Sequence, residues 1–281
     1  MTKGNLGTKR KLGIGCAALV LFGAVAFAQA PPPPPILPPG ELERLVSRIA
    51  LYPDSLLAQV LAGATYTNEI PDAARWADAH AYVHGDALAA AINEDQLPWD
   101  PTVQALLPFP SVLEMMARDM GWTSQLGNAF MAQQQDVMDA VQRERRKAYD
   151  YGYLRTGPQL VVTPQPYIAI AAVNPGIYYV PLYDPFVVFG PPRPGFFIGG
   201  AIRFGGGVTI GAGFAPWGWG AARFGWGEHR VFIAGHPWER TWAVRRTYVH
   251  PYAVQRYAPE RRVEHHEVHE RGREERREER H

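Results

Sequence analysis

The stretch IALYPDSLLAQVLAGATYTNEIPDAARW, residues 49–76, is apolar and helix-like, yet Pro53, Pro71 and the Tyr66-Thr67-Asn68 step cut it. A proline inside a helix removes a backbone donor and clashes with the preceding turn. No long helix passes through such a sequence. The region must fold as several short helices that share one core.

The apolar residues agree with this at the helical period. Leu42, Leu45, Val46 and Ile49 mark one face. Asp54 is placed to cap a second helix, with Leu56, Leu57, Val60, Leu61 and Ala64 inside. Asn68 is placed to cap a third, which tolerates Pro71 in its first turn. Asp86 opens a fourth around Leu88, Ala91 and Ile92, and Phe109, Val112, Leu113, Met116 and Met120 make a fifth stripe. Thr123 then caps the longest helix, which runs to about Tyr149.

From residue 158 the period changes to two. YIAIAAV and IYYVPLY flank Asn174-Pro175-Gly176, which fits a tight turn and predicts a hairpin or a tight extended return. Residues 198–214 alternate again, broken at Gly205-Gly206-Gly207, where a turn is expected. APWGWGAARFGWG reads as an irregular loop. The fold class is α+β: an N-terminal multi-helix domain, a small β-hairpin region, a Gly/aromatic-rich segment and a disordered charged tail. The expected limits are 1–28 for a signal peptide, 29–40 for a Pro-rich linker, 41–155 for the helical domain and 156–190 for the hairpin region. The Gly/aromatic segment follows at 191–238. The basic, then mixed-charge tail takes 239–281.

The signal peptide rests on Lys3, Lys9, Arg10 and Lys11 ahead of an uncharged apolar run, Leu12 to Phe27. Ala26-Phe27-Ala28 then supplies small residues for cleavage. The sole cysteine, Cys16, lies inside it, so the mature chain carries no thiol for a disulfide, metal or nucleophile. Export without disulfides fits the periplasm or cell envelope of a bacterium. No later run is long and apolar enough to predict a membrane-spanning helix.

Charge is divided unevenly. Residues 41–190 hold 17 acidic and 9 basic groups, whereas residues 191–259 hold 2 acidic and 8 basic. The two parts attract one another, or the basic part meets an anionic partner.

IALYPDSLLAQVLAGATY, the run from PWDPTVQALLPFP through QRERRKA, and NPGIYYVPLYDPFVVFG occur here in that order. Together they resemble the bacterial exported family catalogued as domain of unknown function 3300, over about residues 41–190. One departure is Thr67, where that family usually carries proline. The resemblance implies export and domain limits; it brings no activity and no catalytic residues.

For chemistry the sequence offers types rather than motifs. Ser47, Ser55, Ser111 and Ser124 sit in or beside helices, without a G-x-S-x-G elbow. Asp54, Asp100 and Asp184 flank prolines, and with Glu69 and Asp72 they are the carboxylates for a glycosidase-like pair. Helix caps and turns account for the same three aspartates. His265 and His269 stand one helical turn apart, as do His80 and His84, with no third ligand identifiable. Arg223, Trp226, Arg230, Trp238, Arg240, Trp242, Arg245 and Arg246 interleave cations with rings, a composition that suits an anionic glycan or lipid. The same rings are equally suited to pack in a core. An exported chain has no nucleic-acid partner, and no cofactor is expected. The leading expectation is a non-catalytic binding or assembly module of the envelope. An envelope hydrolase acting on glycan or peptide through carboxylates, and a peripheral protein on anionic lipid or glycan, are the alternatives.

Overall fold

The computed structural model describes residues 32–192 and 200–251. The chain divides into two units, Met1–Pro32 and Pro33–His281, and the fold described below belongs to the second. The signal-like segment, residues 193–199, and the charged tail from 252 with His265 and His269 lie outside the described residues.

The proline-punctuated region is a set of short helices. They are α1 (Pro39–Val46), α2 (Asp54–Ala64), α3 (Ile70–Ala79), α4 (Gly85–Glu94), α5 (Pro101–Gln104), α6 (Pro110–Arg118), α7 (Met120–Ala132) and α8 (Gln134–Asp150). Pro39, Pro71, Pro101 and Pro110 all fall in a first turn, where a missing N–H costs nothing. Helix α2 is the axis. Every residue from Leu56 to Ala64 is buried, on all sides and not only along the expected stripe. Helix α7 crosses it at Gly127, where a Cβ would stand 2.2 Å from the Ala64 carbonyl oxygen.

Three expected caps are corrected. Asp54 occupies the first turn of α2 and makes no capping bond; its carboxylate turns inward instead. Asn68 lies in a 3-10 turn before α3, and that helix has no side-chain cap. Thr123 is buried within α7, its hydroxyl donating to the Met116 carbonyl (2.7 Å), and Asp119 caps that helix through the Trp122 amide (3.0 Å). The expected long helix breaks at Gln133. There the freed side-chain amide exchanges two bonds with the backbone of Leu37 (2.8 and 3.1 Å) and ties down the end of the Pro-rich linker.

Of the two forms expected around Asn174-Pro175-Gly176, a hairpin or a tight extended return, the flanking strands do not form the hairpin. Only a single bridge, Asn174 to Ile177, closes that turn. Strand β2 (Ala169–Ala172) pairs back to β1 (Leu160–Thr163). Beyond the turn, β3 (Ile177–Tyr178) and β4 (Pro181–Tyr183) pair with β6 (Val208–Thr209) and β5 (Ile202–Phe204). Tyr178 faces Val208 and Pro181 faces Phe204, so two residues oppose Gly205-Gly206-Gly207. The glycine run is therefore an unpaired step between two short antiparallel pairs, not a turn. Between β4 and β5 lies α9 (Pro185–Val188).

The segment expected as an irregular loop is built into the core. A 3-10 stretch at Ala212–Trp217 leads into a three-stranded meander, β7 (Arg223–Gly225), β8 (Arg230–Ile233) and β9 (His236–Pro237). Phe214, Trp217, Trp219, Phe224, Trp226, Val231, Ile233 and Trp238 are all buried in the same cluster as α2. This is why α2 has no solvent face. A second, smaller cluster joins Leu51, Ala148 and Leu154 to the inner faces of β1 and β2 and to Val188.

Candidate functional site

Two polar networks join the later strands and the C-terminal segment to the helices. The first centres on Arg145, which is 0 % exposed on the inward face of α8. Its guanidinium donates to the carbonyls of Ala50 (2.8 Å), Tyr52 (2.9 Å) and Ile168 (2.8 Å) and to Asp54 Oδ1 (2.6 Å). The same carboxylate accepts from the Ile170 amide (3.3 Å) and the Trp226 indole (3.1 Å). The guanidinium also stacks over the Trp226 ring, 5.0 Å from its centroid. A charge removed from water must be paired and hydrogen-bonded, and here every guanidinium nitrogen has an acceptor. The network gathers the α1–α2 corner, α8, β2 and β7 at one point.

The second network lies at the other end of α2. Asp100 caps α5, accepting from the Thr102 amide (2.9 Å) and hydroxyl (2.7 Å). Its second oxygen faces His250 Nε2 at 2.6 Å, and the Tyr66 hydroxyl lies 3.4 Å from that nitrogen. Glu69 accepts from the Asp100 amide (2.7 Å). Arg240 lies over the Tyr66 ring, 3.7 Å from its centroid, and donates to the Thr65 carbonyl (2.6 Å). Tyr248 meets the His250 ring edge-on at 5.2 Å.

These surroundings push two neighbouring carboxyls apart. Burial opposes ionisation of Asp100, but the bond and charge of His250 and the two bonds from Thr102 outweigh it and hold its pKa below the ordinary value. For Glu69 burial is the largest influence and the charge of Asp100 adds to it, so its pKa is raised despite the bond from the Asp100 amide. Burial, aided by Asp100, also raises the Tyr66 phenol far above its usual range. The cluster thus sets a carboxyl that holds its proton more tightly beside one that gives it up readily.

The other residues singled out from the sequence are dispersed. Asp184 caps α9 through the Phe186 amide (2.9 Å) and shares no partner with Asp54 or Asp100. Asp72 pairs with Arg75 on the exposed side of α3. His80 stacks on Trp76 at 3.9 Å, while His84 precedes α4 and is exposed. Among the described residues no group of three His, Cys, Asp or Glu side chains is placed to hold a metal ion. Trp226 and Trp238 are buried, and Trp242 is partly so. Arg240 and Arg245 are engaged, Arg245 lying 3.9 Å over the Trp242 ring. Arg223, Arg230 and Arg246 are exposed, Arg223 resting over the Phe232 ring at 4.0 Å.

Arg145 and His250 were not singled out from the sequence. Arg145 had left a signal: it stands four residues after Val141 and three before Ala148, on the apolar stripe of its helix. A charge on a buried stripe requires a partner. His250 leaves no such trace, because nothing in its irregular surroundings has a period.

Together these features define an α+β protein whose short-helix module is closed by its own Gly/aromatic segment. The chain belongs to the family described as Protein of unknown function (DUF3300), whose model matches residues 39–269. The match runs past residue 190 and takes in the Gly/aromatic segment. The chain is similar to the uncharacterized protein YacH of Escherichia coli (strain K12), 33% identical over 221 residues. That alignment covers 64% of this chain and 35% of the relative, so the chain spans about a third of the curated relative it matches. No solved structure matches it. No described helix is long and apolar enough to cross a membrane.

Proposed function

We propose that this protein is exported to the bacterial envelope and works there as a binding or assembly module. The observation that carries the binding reading is how the polar groups are used. Asp54 neutralises a buried arginine, Asp100 holds His250, and Asp184 caps a helix. Among the groups presented to solvent are apolar side chains beside a cation, Phe186, Leu182 and Val187 with Arg203, and the arginines Arg223, Arg230 and Arg246, alongside exposed carboxylates such as Asp184, Glu228 and Glu239. Such surfaces recognise rather than react. Export rests on the charged and apolar pattern of residues 3–28.

Three measurements test this. Fractionation of a bacterium expressing the C-terminally tagged full chain should place it, shortened at its N-terminus, in the periplasm or envelope. Affinity recovery from envelope extracts should then yield a reproducible partner that the unfolded chain does not retain. Recovery of background alone would sink the binding reading. Flotation with anionic vesicles at low and high salt separates a lipid surface from a protein partner, since electrostatic attachment through the exposed arginines weakens with salt.

A hydrolytic reading is favoured by one observation, the juxtaposition of two part-buried carboxyls where Glu69 accepts from the Asp100 amide (2.7 Å), in surroundings that raise the pKa of one and lower that of the other. Neither Asp54 nor Asp184 shares that cluster. Turnover of envelope glycan or peptide that is abolished by Glu69→Gln, with the fold intact, would establish it. Unchanged turnover would exclude Glu69.

A further inference from the structure

The connection that follows β4 carries the most exposed large apolar side chain among the described residues. Phe186, on the first turn of α9, is 95% exposed, and Val187 and Leu182 beside it are 43% and 50% exposed. Next to them is an open depression of about 610 Å³, lined by Leu182, Tyr183, Asp184, Val187, Ala201 and Arg203 among others. Arg203 stands directly across the β4–β5 pair from Leu182, two residues from Asp184. Arg203 is exposed and makes no ion pair with a described residue. Asp184 spends one carboxylate oxygen on the Phe186 amide and is also exposed.

We infer that this surface is a homotypic contact, in which a second copy of the chain seats its Phe186 in the depression beside Val187 and Ala201. The argument is one of self-complementarity. A two-fold contact sets the same patch against itself, so each residue of one copy meets its counterpart's neighbour. That requires one patch to hold both members of every complementary pair. This patch does: a protruding ring beside a depression, and an arginine with no ion pair among the described residues beside an aspartate. Two copies face to face exchange their rings and set Arg203 of each against Asp184 of the other. An anionic lipid surface is a poorer match, because Asp184 would face like charge. The contact specifies one partner for the assembly reading above and rests on it only in that sense.

Sedimentation velocity of the full chain over a range of micromolar concentrations tests it. The native chain should pass from monomer to dimer. Phe186→Asp and Arg203→Glu should each weaken the dimer by about tenfold or more. Neither change touches a buried group, so far-UV circular dichroism should be unchanged. Asp184→Asn, which keeps an oxygen to accept from the Phe186 amide and discards the charge, should weaken the dimer as well. A native chain that stays monomeric, or a dimer indifferent to all three changes, overturns the contact. A monomer that floats with vesicles through Phe186 assigns the patch to lipid and overturns it equally. A monomer that still recovers an envelope partner ends this inference while leaving the assembly reading intact.

Discussion

The helical region and the Gly/aromatic segment bury their apolar residues by different means. Residues 39–150 do so through helical periodicity: α5 and α7 pack on α2, while α1 packs on α8 and α3 on α6. Residues 212–238, a 3-10 stretch and a short meander, bury rings one by one, and three of the indoles are fixed by hydrogen bonds to the helical region. The Trp217 indole donates to Gln104 Oε1 (2.8 Å), that of Trp219 to the Ala105 carbonyl (2.9 Å), and that of Trp226 to Asp54 (3.1 Å). In return Gln59 on α2 donates to the Trp217 carbonyl (3.0 Å). The first region specifies a fold; the second only fits one that already exists. The charge imbalance follows the same division, since Arg240, His229 and His250 of the basic part all contact the acidic helices.

That dependence is broken most completely by removing the segment. A chain ending at Gly190 would strip α2 of one side and expose the sites of Phe214, Trp217, Trp219, Trp226 and Trp238. Each such ring contributes about 1.5–3 kcal/mol, and the sum approaches the whole stability of an ordinary domain, about 5–15 kcal/mol. The expected product lacks a cooperative thermal transition and binds a hydrophobic dye. A sharp transition within a few degrees of the full chain would show that the helices stand alone.

The next largest effect lies where both regions meet β2. Asp54→Ala leaves the Arg145 guanidinium buried without its counter-charge and removes the acceptor for Trp226. Breaking one side of a buried pair costs about 3–5 kcal/mol. Chemical denaturation should show a loss of that size, and Arg145→Met together with Asp54→Leu should recover part of it by removing both charges. A loss below about 1 kcal/mol would mean that the pair is solvated in a way its burial does not allow.

How much of this was legible follows the same line between the regions. The helix stripes, the early prolines and the change of period after residue 158 are local signals, and the structure keeps them except at Ala91 and Met120, which are only half-buried. The pairing of β3 and β4 with β6 and β5 is not local, because the turn at 174–176 is as compatible with a corner as with a hairpin. Asp54 illustrates the limit at one residue. Pro53-Asp54 reads as a helix start, and it is one, but the carboxylate that would cap it has a stronger claim from Arg145, 91 residues away. The rings of APWGWGAARFGWG had a surface reading and a core reading with identical composition. Only the existence of acceptors such as Gln104 and Asp54 on the helices decides between them, and no pattern in the segment records them.

Within the helical region the sharpest test of local packing is Gly127→Ala. Alanine is the better helix former, so propensity alone makes the change favourable by about 1 kcal/mol. A Cβ there meets the Ala64 carbonyl at 2.2 Å and the Thr65 amide at 2.9 Å, backbone atoms that cannot turn aside. The helices must separate, and overpacking of this kind costs about 1–3 kcal/mol. The expected outcome is a lower melting temperature; a rise would show that α2 and α7 slide apart without penalty.

The smallest effect separates the two carboxyls at the Asp100 cluster by pH. A carboxyl whose folded pKa is lowered stabilises the fold above its unfolded value, and that contribution is lost as pH falls through the folded one. Asp100 is of this kind, so its contribution is present at neutral pH and disappears in acid, below the ordinary carboxylate value of about 3.9. Glu69 has the opposite sign: its raised pKa makes the fold hold a proton more tightly, and that contribution fades as pH rises through the folded value. His250→Ala removes the partner that keeps Asp100 ionised and leaves it buried. Its loss of stability should be about 1–3 kcal/mol at neutral pH and should shrink as the solution is acidified. Glu69→Gln keeps an acceptor for the Asp100 amide and discards the strained charge, so it should be neutral or slightly stabilising at pH 7, with any gain vanishing in acid. Denaturation midpoints measured for both variants from neutral to acid pH should therefore move in opposite senses. Parallel curves would show that the two carboxyls do not differ as their surroundings require.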